Sequence, residues 1–297
     1  MRMDLRDRVK RMSAYLDNQA IAAALKIPVE TVVDILSGKA DISEVPAQVS
    51  QPTIKVTSVK TAYRQRVVAV WRARGGVGCT AIAIHLAYML KDMMRVLLVD
   101  LNTAGGGSDL CYYLDLPEYP HMCSMKDNLA DAVIEVETML HVLQPPRRAS
   151  EGEVTGELVE QLISYARRDY DAVILDLPNR EDAVTRKAVQ NANTLVMVTG
   201  GGYQEMVRLA LLIADFRQKD IVLVANRCRP DVEVQKTLGV ETVVFIPEEK
   251  DLARAMEERR FVRKGSALLK SLEDLRAKLY EVRQEKKGFL QGLFAAG

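Results

Sequence analysis

From Arg66 onward the chain alternates short, nearly all-apolar runs rich in Val, Ile and Leu with longer segments whose apolar positions recur every three or four residues. The short runs predict strands at residues 66–71, 95–101, 140–144, 171–177, 194–199, 221–226 and 242–246. The periodic segments predict helices over 80–91, 152–168, 182–191, 204–217 and 250–258. A strand without polar alternation is buried on both faces, and strands that alternate with helices build a parallel sheet covered on each side. The expected fold class is therefore α/β, a doubly wound and mostly parallel sheet, with a small N-terminal all-helical module ahead of it.

Four regions follow from the same pattern. Residues 1–41 read as a helix-turn-helix-like module, with helices over 19–25 and 28–36 and Gly38 as a stop. Residues 42–65 hold prolines, Ser, Thr and Gln without a steady period and read as a linker. The α/β domain runs over 66–262, and 263–297 forms a C-terminal helix and amphipathic tail. Leu268, Leu272, Leu275, Leu279 and Val282 make one apolar stripe on that helix. A DNA reader presents basic or amide groups from its second helix. This one offers Glu30, Thr31 and Asp34, which meet phosphates badly, so a protein-docking module is favoured, with Arg2, Arg6, Arg8, Lys10 and Arg11 the argument for DNA.

At 297 residues, 48% hydrophobic and 27% charged, the chain has ample material for a core. A formal net charge of +1 gives no global pull toward nucleic acid or membrane. The first residues lack the apolar stretch of a secretory signal, and no run approaches the roughly 18 apolar residues of a spanning helix. Cys79, Cys111, Cys123 and Cys228 are scattered without metal-ligand spacing and read as reduced thiols. His85, His121 and His141 likewise show no ligand pattern.

The chemistry gathers after the first strand, in RARGGVGCT (residues 72–80). Glycines behind a strand let backbone N–H groups approach phosphate oxygens, and the following helix adds its positive end. Gly75, Gly76 and Gly78 supply the bend and Thr80 a hydroxyl suited to Mg²⁺, but Cys79 stands where such loops carry a lysine. Asp100 and Asn102 end the next strand, and Asp176 ends a later one. All lie at the carboxyl ends of predicted parallel strands, the edge where open α/β sheets bind ligands. Two readings of Cys79 stand side by side: a loop that grips without its ammonium, or a small filler in a loop that has lost its ligand. Gly200, Gly201 and Gly202 read as a strand-to-helix turn, because no Lys or Thr follows in register.

These motifs resemble the MinD/ParA group of deviant Walker-A ATPases, over roughly residue 66 to the C-terminus. The resemblance implies ATP or ADP with Mg²⁺ as ligand and a homodimer as the working state. Within it Arg74 matches the signature lysine that crosses to the partner's phosphates, and Gly75, Gly76, Val77 and Gly78 form the cradle. Cys79 matches the phosphate-binding lysine, and Thr80, Asp100 and Asp176 the metal-side groups. Asn102 stands at the family's catalytic aspartate, Asn226 at the adenine-contacting asparagine, and Pro247 in the element FIPEE near the base. Losing both the lysine and the second carboxylate predicts a pseudo-ATPase; a slow but real ATPase is the alternative. The tail EKKGFLQGLF is similar to the membrane-targeting tail of MinD proteins: Phe289, Leu290, Leu293 and Phe294 share one side, with Lys286 and Lys287 suited to anionic lipid. The expected place is cytoplasmic, peripheral on the inner face of the cell membrane. The expected role is spatial organisation of a division site or of a pilus or secretion machine. Degenerate loops occur among the related TadZ/CpaE-like proteins, whose receiver-like N-terminal domain this chain lacks. A DNA-partnered segregation role, through the N-terminal helices, is the third reading.

Overall fold

The structure is a computed structural model that describes residues 5–14, 16–25, 27–39, 65–104, 106–228 and 238–280. The chain divides into two compact units, Met1–Lys60 and Thr61–Gly297. In the first, α1 (Leu5–Met12), α2 (Asn18–Leu25) and α3 (Val29–Ser37) close over Val9, Ile21, Leu25, Val32 and Ile35. Asp17 opens α2 by accepting the N–H of Ala20 at 2.8 Å, and Gly38, left-handed at φ 77°, ends α3. The outward side of α3 carries Val29, Glu30, Val33, Asp34 and Leu36.

The second unit is built on β1 (Arg66–Arg72), β2 (Val96–Asp100), β3 (Ile134–Glu137), β4 (Leu140–Leu143), β5 (Ala172–Asp176), β6 (Thr194–Thr199), β7 (Asp220–Asn226) and β8 (Thr242–Ile246). They form an eight-stranded sheet in the order β3-β4-β2-β5-β1-β6-β7-β8. All neighbours are parallel except β3 and β4. The doubly wound, mostly parallel sheet expected from the apolar runs is thus observed. The antiparallel edge strand β3 was not expected. Its sequence IEVE alternates half-buried and exposed positions instead of forming an apolar run, as befits a short charged edge.

Helices cover both faces. On one lie α4 (Cys79–Leu90), α5 (Asp109–Tyr113), α9 (Leu252–Glu257) and α10 (Ala267–Tyr280); on the other lie α6 (Gly156–Asp169), α7 (Ala183–Asn191) and α8 (Tyr203–Asp215). Helix α4 is apolar nearly all round because it is sandwiched between the sheet and α10. The stripe Leu268, Leu272, Leu275 and Leu279 is fully buried against it; Val282 and the tail from Lys286 to Phe294 lie outside the described residues. Helix α6 starts later than its apolar pattern suggests, because Thr155 caps it by accepting the N–H of Leu158 at 3.2 Å. Among the described residues no helix is long and apolar enough to cross a membrane.

Candidate functional site

Strand alternation explains how the site assembles. Side chains two apart on a strand share a face. Val68 and Val70 of β1, Val96 and Leu98 of β2, Ala172 and Ile174 of β5, and Val222 and Val224 of β7 all pack on the α4 face. Continuing each series by one step places Arg72, Asp100, Asp176 and Asn226 on that same face, at the carboxyl ends of their strands. Parallel register then aligns them: Asp100 sits directly opposite Asp176, and Val70 opposite Asp176. The four polar strand ends therefore converge at the start of α4.

The Gly-rich loop crosses this point. Gly76 and Gly78 hold φ of 78° and 95°, left-handed values that a side chain resists. Gly78 is the residue preceding α4 and caps it with no side chain, so the first-turn N–H groups of the helix are not closed off by a capping group. Asn226 fixes the bend. Its amide Nδ2 donates to the carbonyl of Val77 at 2.7 Å, and a Cβ at Gly78 would lie 2.6 Å from that nitrogen. The asparagine matched to a base contact thus serves the loop backbone here. Pro247 is exposed just beyond β8, whose Ile246 pairs with Asn226, so the two share one edge.

Cys79 is 1% exposed, and burial pushes its thiol up to about 12. It is neutral at any physiological pH and contributes no charge. The Thr80 hydroxyl neighbours Asp176 and favours its ionised form. Burial, then the nearby Asp176, raises Asp100 to about 7, while the Ser108 hydroxyl and the Asn102 N–H pull it down. Ser108 Oγ donates to Asp100 Oδ2, and Asn102 N to Oδ1 at 2.9 Å, so both oxygens of this acid are engaged. Asp176 is raised to about 6, again by burial first. Its Oδ1, among the described residues, accepts no hydrogen bond. Two buried neighbouring carboxyls with one open oxygen are a place for a cation.

A cleft of about 410 Å³ opens over the loop, lined by Arg74, Gly75, Gly76, Val77, Gly200, Gly202, Glu205 and Arg227. Arg74 is exposed there and points no charge into the core. The Gly200–Gly202 turn joins β6 to α8 as its composition suggests, and Glu205 anchors it by accepting the Gly200 N–H at 2.7 Å. Arg227 donates to the carbonyl of Gly76. The sequence does not reveal Arg227, which meets the loop from 151 residues away, or Glu205, whose own bond is to Gly200 but which lines the same cleft. Ser108 and Arg72 were legible only by counting two past a buried strand residue or three before a buried helical one. Among the described residues no cluster of His, Cys, Asp and Glu has metal-site form, and all four cysteines are free.

The phosphate cradle fits an anion: left-handed glycines, a helix start without a side-chain cap, and cations from Arg74 and Arg227. Thr80 and the open Oδ1 of Asp176 fit a divalent cation. Comparisons with known proteins bear on the fold and the family. Residues 65–234 match a family model described as an AAA domain. An uncharacterised ATP-binding protein of Methanocaldococcus jannaschii is 24% identical over 63% of this chain and 86% of its own. The septum site-determining protein MinD of Synechocystis is 25% identical over 60% of this chain and 71% of its own. Among solved structures, a ParA family ATPase from Chlorobium tepidum superposes with a TM-score of 0.63 at 23% identity, covering 71% of this chain and 97% of that one. The MinD of Pyrococcus horikoshii, solved with Mg-ADP, gives 0.62 at 18% identity, covering 71% and 95%.

Proposed function

Because the chain belongs to the MinD/ParA-type family of P-loop ATPases, we propose that it binds ATP or ADP while hydrolysing it weakly or not at all. The working form is a homodimer held at the inner membrane surface, where it marks the place of a division site or of a pilus or secretion machine. One observation carries the reading. The cradle keeps its left-handed glycines and its helix start, while the residue that should bring an ammonium into it is a buried neutral thiol.

The geometry supports a role for each residue. Amides of Gly75 to Gly78 and of the first turn of α4 hold phosphate oxygens. Thr80 and Asp176 are the groups that would hold Mg²⁺, whose chemistry is to draw charge off the phosphate oxygens. Arg74, exposed at the cleft over the loop, is the group for a contact with a partner's phosphates. Asn102 orients by hydrogen bonding but has no carboxylate with which to take a proton from water. Binding therefore survives and bond cleavage loses two of its contributors. The membrane part of the proposal rests on the sequence of the tail, and two weak tails on one dimer hold a bilayer far better than one.

Calorimetric titration with ATP and Mg²⁺, paired with phosphate release from wild type and a Cys79→Lys/Asn102→Asp variant, tests the nucleotide half. Binding by both and faster turnover by the variant are expected; equal turnover at an ordinary ATPase rate removes the pseudo-enzyme reading. Liposome sedimentation of full-length chain against one lacking residues 288–297 tests the membrane half, and equal binding by the two removes it. The outward face of α3, with Val29 and Val33 beside Glu30 and Asp34, favours a protein partner for the first unit over DNA.

A further inference from the structure

Arg72 is a cation that neither motif matching nor the comparisons single out. It closes β1, and strand alternation turns it to the α4 face with Val68 and Val70. Its side chain is only 15% exposed, with Nη1 3.9 Å from Asp176 Oδ1, whose side chain is 4% exposed. Its charge also acts on the neighbouring Cys79 thiol, opposing the rise that burial imposes on it. An arginine that had Asp176 as its settled partner would close to about 2.7–2.9 Å and bond through both nitrogens. Instead the pair stands open. Among the described residues neither Arg72 Nε nor Asp176 Oδ1 makes a hydrogen bond. A sheltered guanidinium with donors to spare therefore sits beside the one position in the loop that lacks its charge.

We propose that Arg72 is the phosphate-binding cation of this site, reaching from the end of the strand into the space that a lysine at position 79 would fill. The inference rests on the nucleotide reading above. Asp176 balances Arg72 across 3.9 Å. When a nucleotide enters, the guanidinium turns its fork to the terminal phosphate oxygens, geometry that a planar two-nitrogen donor suits. Position 79 is then free to be small and neutral, since a lysine there would crowd a second cation against Arg72.

The test is calorimetric titration of the full chain with ATP, ADP and AMP, each with Mg²⁺ and with EDTA. Wild type should bind ATP more tightly than AMP, with and without Mg²⁺. Arg72→Gln should lose about 10- to 100-fold for ATP, the range of one charge-assisted hydrogen bond, and leave AMP within about threefold. A purely structural role would lower all three nucleotides together. An Arg72→Ser/Cys79→Lys variant returns one cation to the pocket and should recover ATP binding to within about threefold of wild type. It also carries the test if Arg72→Gln melts below the assay temperature. No heat from wild type at millimolar ATP would end the nucleotide reading and this inference with it. Binding by wild type that Arg72→Gln leaves unchanged, or a double variant that fails to fold or to bind, overturns the role of Arg72 alone.

Discussion

Gly78 and Gly76 stand two residues apart in the same loop and in the same left-handed region, yet they differ in what surrounds them. A Cβ at Gly76 meets open space, whereas one at Gly78 meets Asn226 Nδ2 at 2.6 Å. Gly76→Ala should therefore cost only the left-handed penalty of about 1–2 kcal/mol. Gly78→Ala adds the displacement of Asn226 from Val77 and should cost about 2–4 kcal/mol. Urea denaturation of both variants checks the order, and equal losses would show that Asn226 does not buttress the loop. The buried acids give a second prediction at this scale. Asp100 and Asp176, at about 7 and about 6, hold their protons more tightly folded than the roughly 3.9 of an unfolded aspartate. The stability that this contributes is full below about pH 4 and is lost as the pH rises through 6 to 7. Without nucleotide or metal, wild type should lose roughly 1–3 kcal/mol relative to Asp100→Asn between pH 5 and pH 8. Melting curves across that range decide it; a constant difference between the two proteins contradicts the assignment.

Elements differ in how plainly the sequence announces them. The central strands were legible because each is buried on both faces, which leaves only apolar residues to write it. β3 was not, because an edge strand carries charge on its open side and loses the apolar signature. Helix starts depend on single capping residues, and the apolar period runs past them: α6 begins at Gly156 because Thr155 takes the N–H of Leu158. Thr155→Ala should thus cost about 0.5–2 kcal/mol, read by thermal melting, while Thr155→Ser stays near wild type. Asp182 plays the same part for α7, accepting the Thr185 N–H at 2.8 Å.

Across the whole molecule, the two units Met1–Lys60 and Thr61–Gly297 each have an apolar core of their own. A chain beginning at Thr61 should therefore fold, keep its unfolding transition within a few degrees of the full-length value and retain ATP affinity. Calorimetric melting and titration check this, and a truncated chain that aggregates would show the units to be interdependent. The run of apolar strands and helices by itself determined the sheet, its parallel sense and the presence of a glycine loop at the carboxyl edge, because burial and backbone geometry act on residues close in the chain. Which charges meet in that loop was decided only by the tertiary structure. Asp100 and Asp176 were already legible as strand ends at that edge, but Arg72 beside Asp176, Glu205 in the cleft wall and Arg227 on the Gly76 carbonyl depend on strand order and register, which no local pattern states.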